Sequence, residues 1–234
     1  HKEPQPTQEL LKNLVIDGYI RSLYSRSIRN ENNKPGTFHL KARARHILKK
    51  EKECELESLD LIYKEKGRTK KFIEHCSALA DIFIYFLITK KENEEIKFYT
   101  KTSLAGYKYF PDPKPDAFMA IKNGQEVTRY FIDLFDEYTP AWVYQKRIRD
   151  YIEYSRNGDW EANTNNSKFP TLYFVCPNET KKMHVFFYGK AKLEKSFEEI
   201  SLYASTISTL RFSKGSESDW LKGEEPAAEE TAAG

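Results

Sequence analysis

Two aspartates, Asp116 and Asp133, stand 17 positions apart on either side of a Lys-Asn-Gly-Gln turn at 122–125. An Asn-Gly pair between two apolar, β-branched runs is the signal of a tight hairpin. The outgoing run opens at Pro115-Asp116, and the returning run, Val127 to Phe135, carries Asp133 near its end. Folding the hairpin delivers both carboxylates to one end of it. Hard divalent cations such as Mg²⁺ or Mn²⁺ take carboxylate oxygens of this kind. A cation so held polarises a phosphoryl oxygen and lowers the pKa of a bound water, which is the chemistry of phosphodiester hydrolysis. A lysine nearby orients or deprotonates that water and offsets charge in the transition state. The structural alternative for Asp116 is a turn role, since Pro-Asp pairs often cap a neighbour. Asp133 is harder to assign that way, because a carboxylate in an aromatic strand is costly unless it is paired or bound to metal.

After Thr139-Pro140 a helix begins that carries Lys146, Arg147 and Arg149. Lys146 lies one turn into it and is the expected catalytic lysine beside the metal-binding pair Asp116 and Asp133. Arg147 and Tyr151 are four apart and share a helix face, which makes them accessory candidates. Asp136 and Glu137 offer further carboxylates but lie past the strand end.

These elements sit in a chain of 234 residues, long enough for one large domain or two small ones. Only 39% of the residues are hydrophobic, yet 15 Tyr, 15 Phe and 3 Trp supply area for a core. The longest apolar stretch, Ala78 to Thr89, contains Asp81 and reads as too short to span a bilayer. The start is polar, without the apolar region of a signal peptide, and without Met it is expected to begin inside a longer protein. Cys54, Cys76 and Cys176 are odd in number and far apart, as in reduced intracellular proteins. A cytoplasmic location is therefore expected. The first fifty residues hold 11 Lys and Arg against 4 Asp and Glu, while residues 224–234 carry four Glu and no base. A basic block on a nearly neutral body is the footprint expected for a phosphate-rich partner.

Taken in order, residues 8–17 read as a helix stopping at Gly18, and 19–24 as a strand. Residues 25–36 form a basic loop, 37–40 a second strand, and 41–52 a helix with Arg43, Arg45, His46, Lys49 and Lys50 exposed. A charged connector fills 53–71. A long, mostly buried helix opens at Phe72, with Glu74 and His75 on its first turn. A strand at 94–100, the hairpin, and the helix at 140–156 follow. A loop then closes at Gly158-Asp159-Trp160, with a polar linker after it. Phe169 to Val175 is a continuous apolar run that reads as a central buried strand. A helix at 179–194, a last, edge-like strand at 200–206 and a flexible acidic tail from Ser213 complete the chain.

The stretch LVIDGYIRSLYS…KPGTFHLKARARHIL resembles the winged-helix segment of the plasmid replication-relaxation family. The helix around His75 and Asp81 is similar to the one that opens that family's second domain. The order of elements is similar to the αβββαβ core of PD-(D/E)xK, restriction-endonuclease-like nucleases. The resemblance implies an α+β or α/β protein in which a truncated winged helix (1–52) precedes a nuclease-like domain with a central mixed sheet (72–212), followed by the tail (213–234). It implies double-stranded DNA as partner, a second copy of the chain as a further one, and no membrane. DNA contacts are expected at Arg21, Arg26, Arg29, Lys34, Arg43, Arg45 and Lys49. Mg²⁺ or Mn²⁺ is expected between Asp116 and Asp133, with Lys146 catalytic and Glu74, Arg147 and Tyr151 accessory. The usual signature places its lysine two residues after the second acid, where this chain has Phe135. Two readings follow: a metal-dependent DNA-nicking enzyme, or an inert nuclease-like scaffold that binds DNA.

Overall fold

A computed structural model describes residues 5–23, 37–52, 54, 59–60, 68–196, 198–213, 215 and 219–222. The chain divides into two compact units, residues 1–73 and 74–234.

In the first unit, helix α1 (Gln5–Ile16) ends at Gly18, whose φ of +74° is the left-handed conformation that glycine adopts without strain. The Gly18 N–H donates to the Val15 carbonyl at 3.1 Å and the Tyr19 N–H to the Leu14 carbonyl at 2.9 Å, a Schellman closure. Strands β1 (Ile20–Ser22) and β2 (Phe38–Leu40) then pair antiparallel, Ile20 opposite Leu40, and helix α2 (Ala42–Leu48) follows. Arg43 lies over the Tyr19 ring at 4.9 Å and donates to the Asp17 carbonyl at 2.6 Å. The expected wing at 25–36, with Arg26, Arg29 and Lys34, lies outside the described residues, as does most of the connector. Leu59 is buried and Asp60 pairs with Arg45, so the unit extends past the boundary expected at residue 52.

The second unit is a six-stranded mixed sheet with helices on both faces. Helix α3 (Lys70–Thr89), whose N-terminal residues precede the unit boundary, leads to β3 (Glu94–Thr100), β4 (Ala117–Asn123) and β5 (Glu126–Leu134). Helix α4 (Ala141–Arg156), the short helix α5 (Asp159–Asn163), β6 (Thr171–Cys176), helix α6 (Glu179–Glu194) and β7 (Leu202–Thr206) come next. Helix α7 (Ile207–Phe212) and β8 (Leu221–Lys222) are the last described elements. The strands lie in sequence order, β3 to β8. The first three form an antiparallel meander, β6 and β7 add in parallel, and β8 returns antiparallel. The parallel steps need crossovers, and α4 and α6 supply them.

Strand alternation sends Phe131, Leu172, Phe174, Cys176, Leu202 and Ala204 to the face covered by α4, α5 and α6. Ala117, Met119, Ile132, Tyr173 and Val175 face α3, Leu210 and Trp220. Helix α3 is long and apolar enough to cross a membrane by length and composition, contrary to the shorter stretch expected there. Its inner residues Leu79, Ile82, Tyr85 and Phe86 pack on the sheet, while Ile84, Leu87 and Ile88 are exposed, so it is less buried than its pattern suggests.

Two expectations for the C-terminal part are corrected. Strand β7 is interior to the sheet, because β8 pairs with its far side: Tyr203 stands opposite Lys222. The tail expected from Ser213 instead returns to the body at Asp219–Lys222. Trp220 stacks on Tyr173 with centroids 4.3 Å apart, and Asp219 accepts from the Tyr85 hydroxyl at 3.0 Å.

Candidate functional site

The hairpin register pairs Ala117 with Ile132, and one further step sets Asp116 opposite Asp133. The sequence spacing thus brings the two acids to adjacent strand ends. Their carboxylates, however, take different partners, Asp133 from α4 and Asp116 from α3 and the β5 backbone, while the Asp116 charge still acts on Arg147 and Tyr151.

Asp133 points toward α4. Its Oδ2 accepts from Arg147 Nε at 2.9 Å and from the Tyr151 hydroxyl at 2.7 Å. Arg147 also donates to the Tyr151 oxygen at 2.7 Å and to the Pro113 carbonyl, and its guanidinium lies 4.2 Å from the Tyr151 ring centroid. Asp133, Arg147 and Tyr151 are all buried. Burial alone would pull the Arg147 pKa down, but the charge of Asp133, its hydrogen bond and the charges of Tyr151 and Asp116 together outweigh this and leave it raised. Burial drives Tyr151 well above its ordinary value, so it remains a neutral donor.

Asp116 turns toward α3. Its Oδ2 accepts the Leu134 N–H at 2.9 Å and its Oδ1 lies 3.5 Å from His75 Nε2. Burial pushes Asp116 up, but the hydrogen bonds from His75 and Leu134 and the charges of His75 and Lys101 together outweigh it and hold the carboxyl below its usual range. His75 is raised, chiefly by its hydrogen bond to Asp116; burial and Lys101 oppose this, and Asp136 adds to it.

Helix phase explains where the other candidates fall. Tyr144, Arg147, Ile148 and Tyr151 face the core at i, i+3, i+4 and i+7, which leaves Lys146 outside. Lys146 is exposed and donates to Asp150 at 2.7 Å, one turn along. The expected catalytic lysine is therefore absent from the acid pair, and Arg147, expected as an accessory, occupies that position. Glu74 is likewise on the exposed side of α3, while its neighbour His75 reaches Asp116. Phe135, at the usual lysine position, is buried between Tyr144 and Phe174.

Lys181, which sequence reasoning did not single out, organises the loop beyond β5. Its ammonium donates to the carbonyls of Asp136, Glu137 and Thr139 at 2.8, 2.9 and 2.9 Å. Thr139 Oγ1 donates to Asp136 Oδ1 at 2.7 Å and accepts the Asp136 N–H at 3.1 Å. The only sequence signal was the Asn178 cap three residues earlier, which accepts the Lys181 N–H at 2.9 Å and starts α6.

A divalent cation needs several oxygen ligands with spare lone pairs. Here a guanidinium already sits on Asp133, and like charges repel strongly in a dry site. The donor set as arranged does not fit Mg²⁺ or Mn²⁺. Among the described residues, no three His, Cys, Asp or Glu side chains gather as a metal would require.

In the first unit, Arg43 is exposed, bonds to the Asp17 carbonyl and lies over Tyr19, and the half-buried Arg45 pairs with Asp60. Arg21 and Lys49 are exposed as well. No protein family, no curated protein and no solved structure matches this chain.

Proposed function

We propose that the chain is a DNA-binding protein of the replication-relaxation type, in which a basic first unit grips phosphates and a nuclease-like body serves as scaffold. The observation that carries the scaffold reading is the Asp133 carboxylate: Arg147 and Tyr151 already supply the charge and hydrogen bonds that a metal would otherwise provide. Phe135 turned into the core supports the same reading.

DNA binding rests on charge. The basic excess of the first fifty residues suits counterion release from a duplex, and Arg21, Arg43 and Lys49 are exposed among its described carriers. The succession helix, hairpin, helix suits a truncated winged helix. The succession α3, β3, β4, β5, α4, β6 suits a restriction-endonuclease-like core. Double-stranded DNA as partner and plasmid or mobile-element replication as process follow from the resemblance, and the cytoplasm as setting from the three scattered cysteines.

The test is a supercoiled plasmid incubated with Mn²⁺ and either the wild type or Asp133→Ala. Both proteins should retard the plasmid and neither should nick it. Nicked product from the wild type alone would overturn the scaffold reading; absence of retardation would overturn DNA binding.

A further inference from the structure

The six-stranded sheet has two unlike edges. Strand β8 is two residues long, whereas β3 runs for seven, and among the described residues only β4 pairs with it. An edge strand offers a row of unpaired N–H and C=O groups to another strand. Along β3 the side chains alternate: Ile96 and Phe98 turn inward, while Glu95, Lys97 and Tyr99 are exposed on the other face. Phe83 of α3 packs on Phe98 with ring centroids 5.0 Å apart, so that side of the helix overhangs the strand. Ala80 and Leu87 lie three and four residues from Phe83 and share its side of the helix. Both are exposed, as is Ile84 between them, and none carries charge.

We propose that a second copy of the chain covers this edge. Each β3 pairs antiparallel with its counterpart about a two-fold axis at Ile96, making one continuous sheet from two bodies. Charge selects both the occupant and the register. With the axis at Ile96, Glu95 stands opposite Lys97 of the partner subunit, and the same pair recurs on the other side of the axis. Opposite charges in directly facing cross-strand positions are favourable and like charges are not. An axis at Lys97 would set two ammonium groups against each other. A slip by one residue would need the sheet of the partner subunit turned over, so that its inner face continued the outer face of this one. Lys97 Nζ lies 3.8 Å from Glu95 Oε1 within the chain, so both signs already project from one face. A strand with opposite charges two positions apart is self-complementary, as a two-fold interface requires. The uncharged side of α3, at Ala80, Ile84 and Leu87, then flanks the seam. The inference uses the second unit only and does not depend on DNA binding.

Light scattering after size exclusion, across the micromolar range, tests it on the full chain. The wild type should have the mass of two chains. Lys97→Glu places carboxylates opposite each other twice and should give the mass of one. Glu95→Lys combined with Lys97→Glu restores opposite charges and should return the mass to two. These substitutions are on the surface, and unchanged circular dichroism would show that each variant is folded. A wild type with the mass of one chain throughout would overturn the proposal, and so would single and double variants of equal mass. The latter result would also arise from an axis at Phe98, where Lys97 faces Tyr99 of the partner subunit.

Discussion

Arg147 donates through Nε to Asp133 Oδ2 across 2.9 Å, with both side chains closed off from water. A buried ion pair contributes little over an apolar replacement, but removing one member strands the other charge. Arg147→Ala should therefore cost about 3–5 kcal/mol, read from urea unfolding midpoints. Asp133→Leu added to Arg147→Met should cost much less than the two single changes summed. Additive losses would show that the two groups do not act as a unit.

The His75–Asp116 contact makes stability depend on pH in a defined direction. His75 is raised above 6.5, so its contribution is complete below that value and disappears as pH rises through the folded pKa. Asp116 is lowered below 3.8, so its contribution is complete above that value and disappears as pH falls through the folded pKa. The pair stabilises most between these limits. An imidazole proton titration should place His75 above 6.5, and Asp116→Asn should lower it. A midpoint unmoved by that change would remove Asp116 as the cause.

The first unit separates surface charge from structural charge. Lys49→Glu and Arg21→Glu should weaken binding to all duplex sequences alike. Each should also flatten the salt dependence, by about one unit of slope for every phosphate left without its cation. Melting temperature should stay within a degree or so, as for ordinary surface changes. Arg43→Glu removes the bond to Asp17 and the stacking on Tyr19 and should lower the melting temperature as well.

Trp220 belongs to the core although it lies beyond the last strand read from sequence. Trp220→Ala should destabilise by about 3–5 kcal/mol, and ending the chain at Phe212 should cost at least as much. A truncated protein with an unchanged unfolding midpoint would contradict this.

Lys181→Met should release the loop at Asp136–Thr139, because three carbonyls depend on one shared donor. Unmade buried hydrogen bonds cost about 1–3 kcal/mol each when fully enclosed; this loop is only partly so, and the effect should fall at the lower end. Faster amide exchange confined to the loop is the expected readout.

Local pattern carried most of the second unit. The Asn-Gly turn and the apolar run at 169–175 mark β4, β5 and β6 within a residue or two, and the helix read at 179–194 is α6. Side-chain direction was less legible. Spacing brought Asp116 and Asp133 together, but which partner each carboxylate takes depends on helix phase, and a shift from Lys146 to Arg147 moves a cation from solvent to core. Strand β8 was invisible for a similar reason. A two-residue strand has no periodicity to read, and its evidence is Trp220 finding Tyr173 across the fold.

That brevity has a consequence for assembly. Among the described residues, the two backbone positions at β8 offer too little to recruit another chain, which leaves one sticky side instead of two. Once the long side is taken by a twin, growth has nowhere to continue, and the association terminates at a pair where a sheet open at both ends would propagate into fibres.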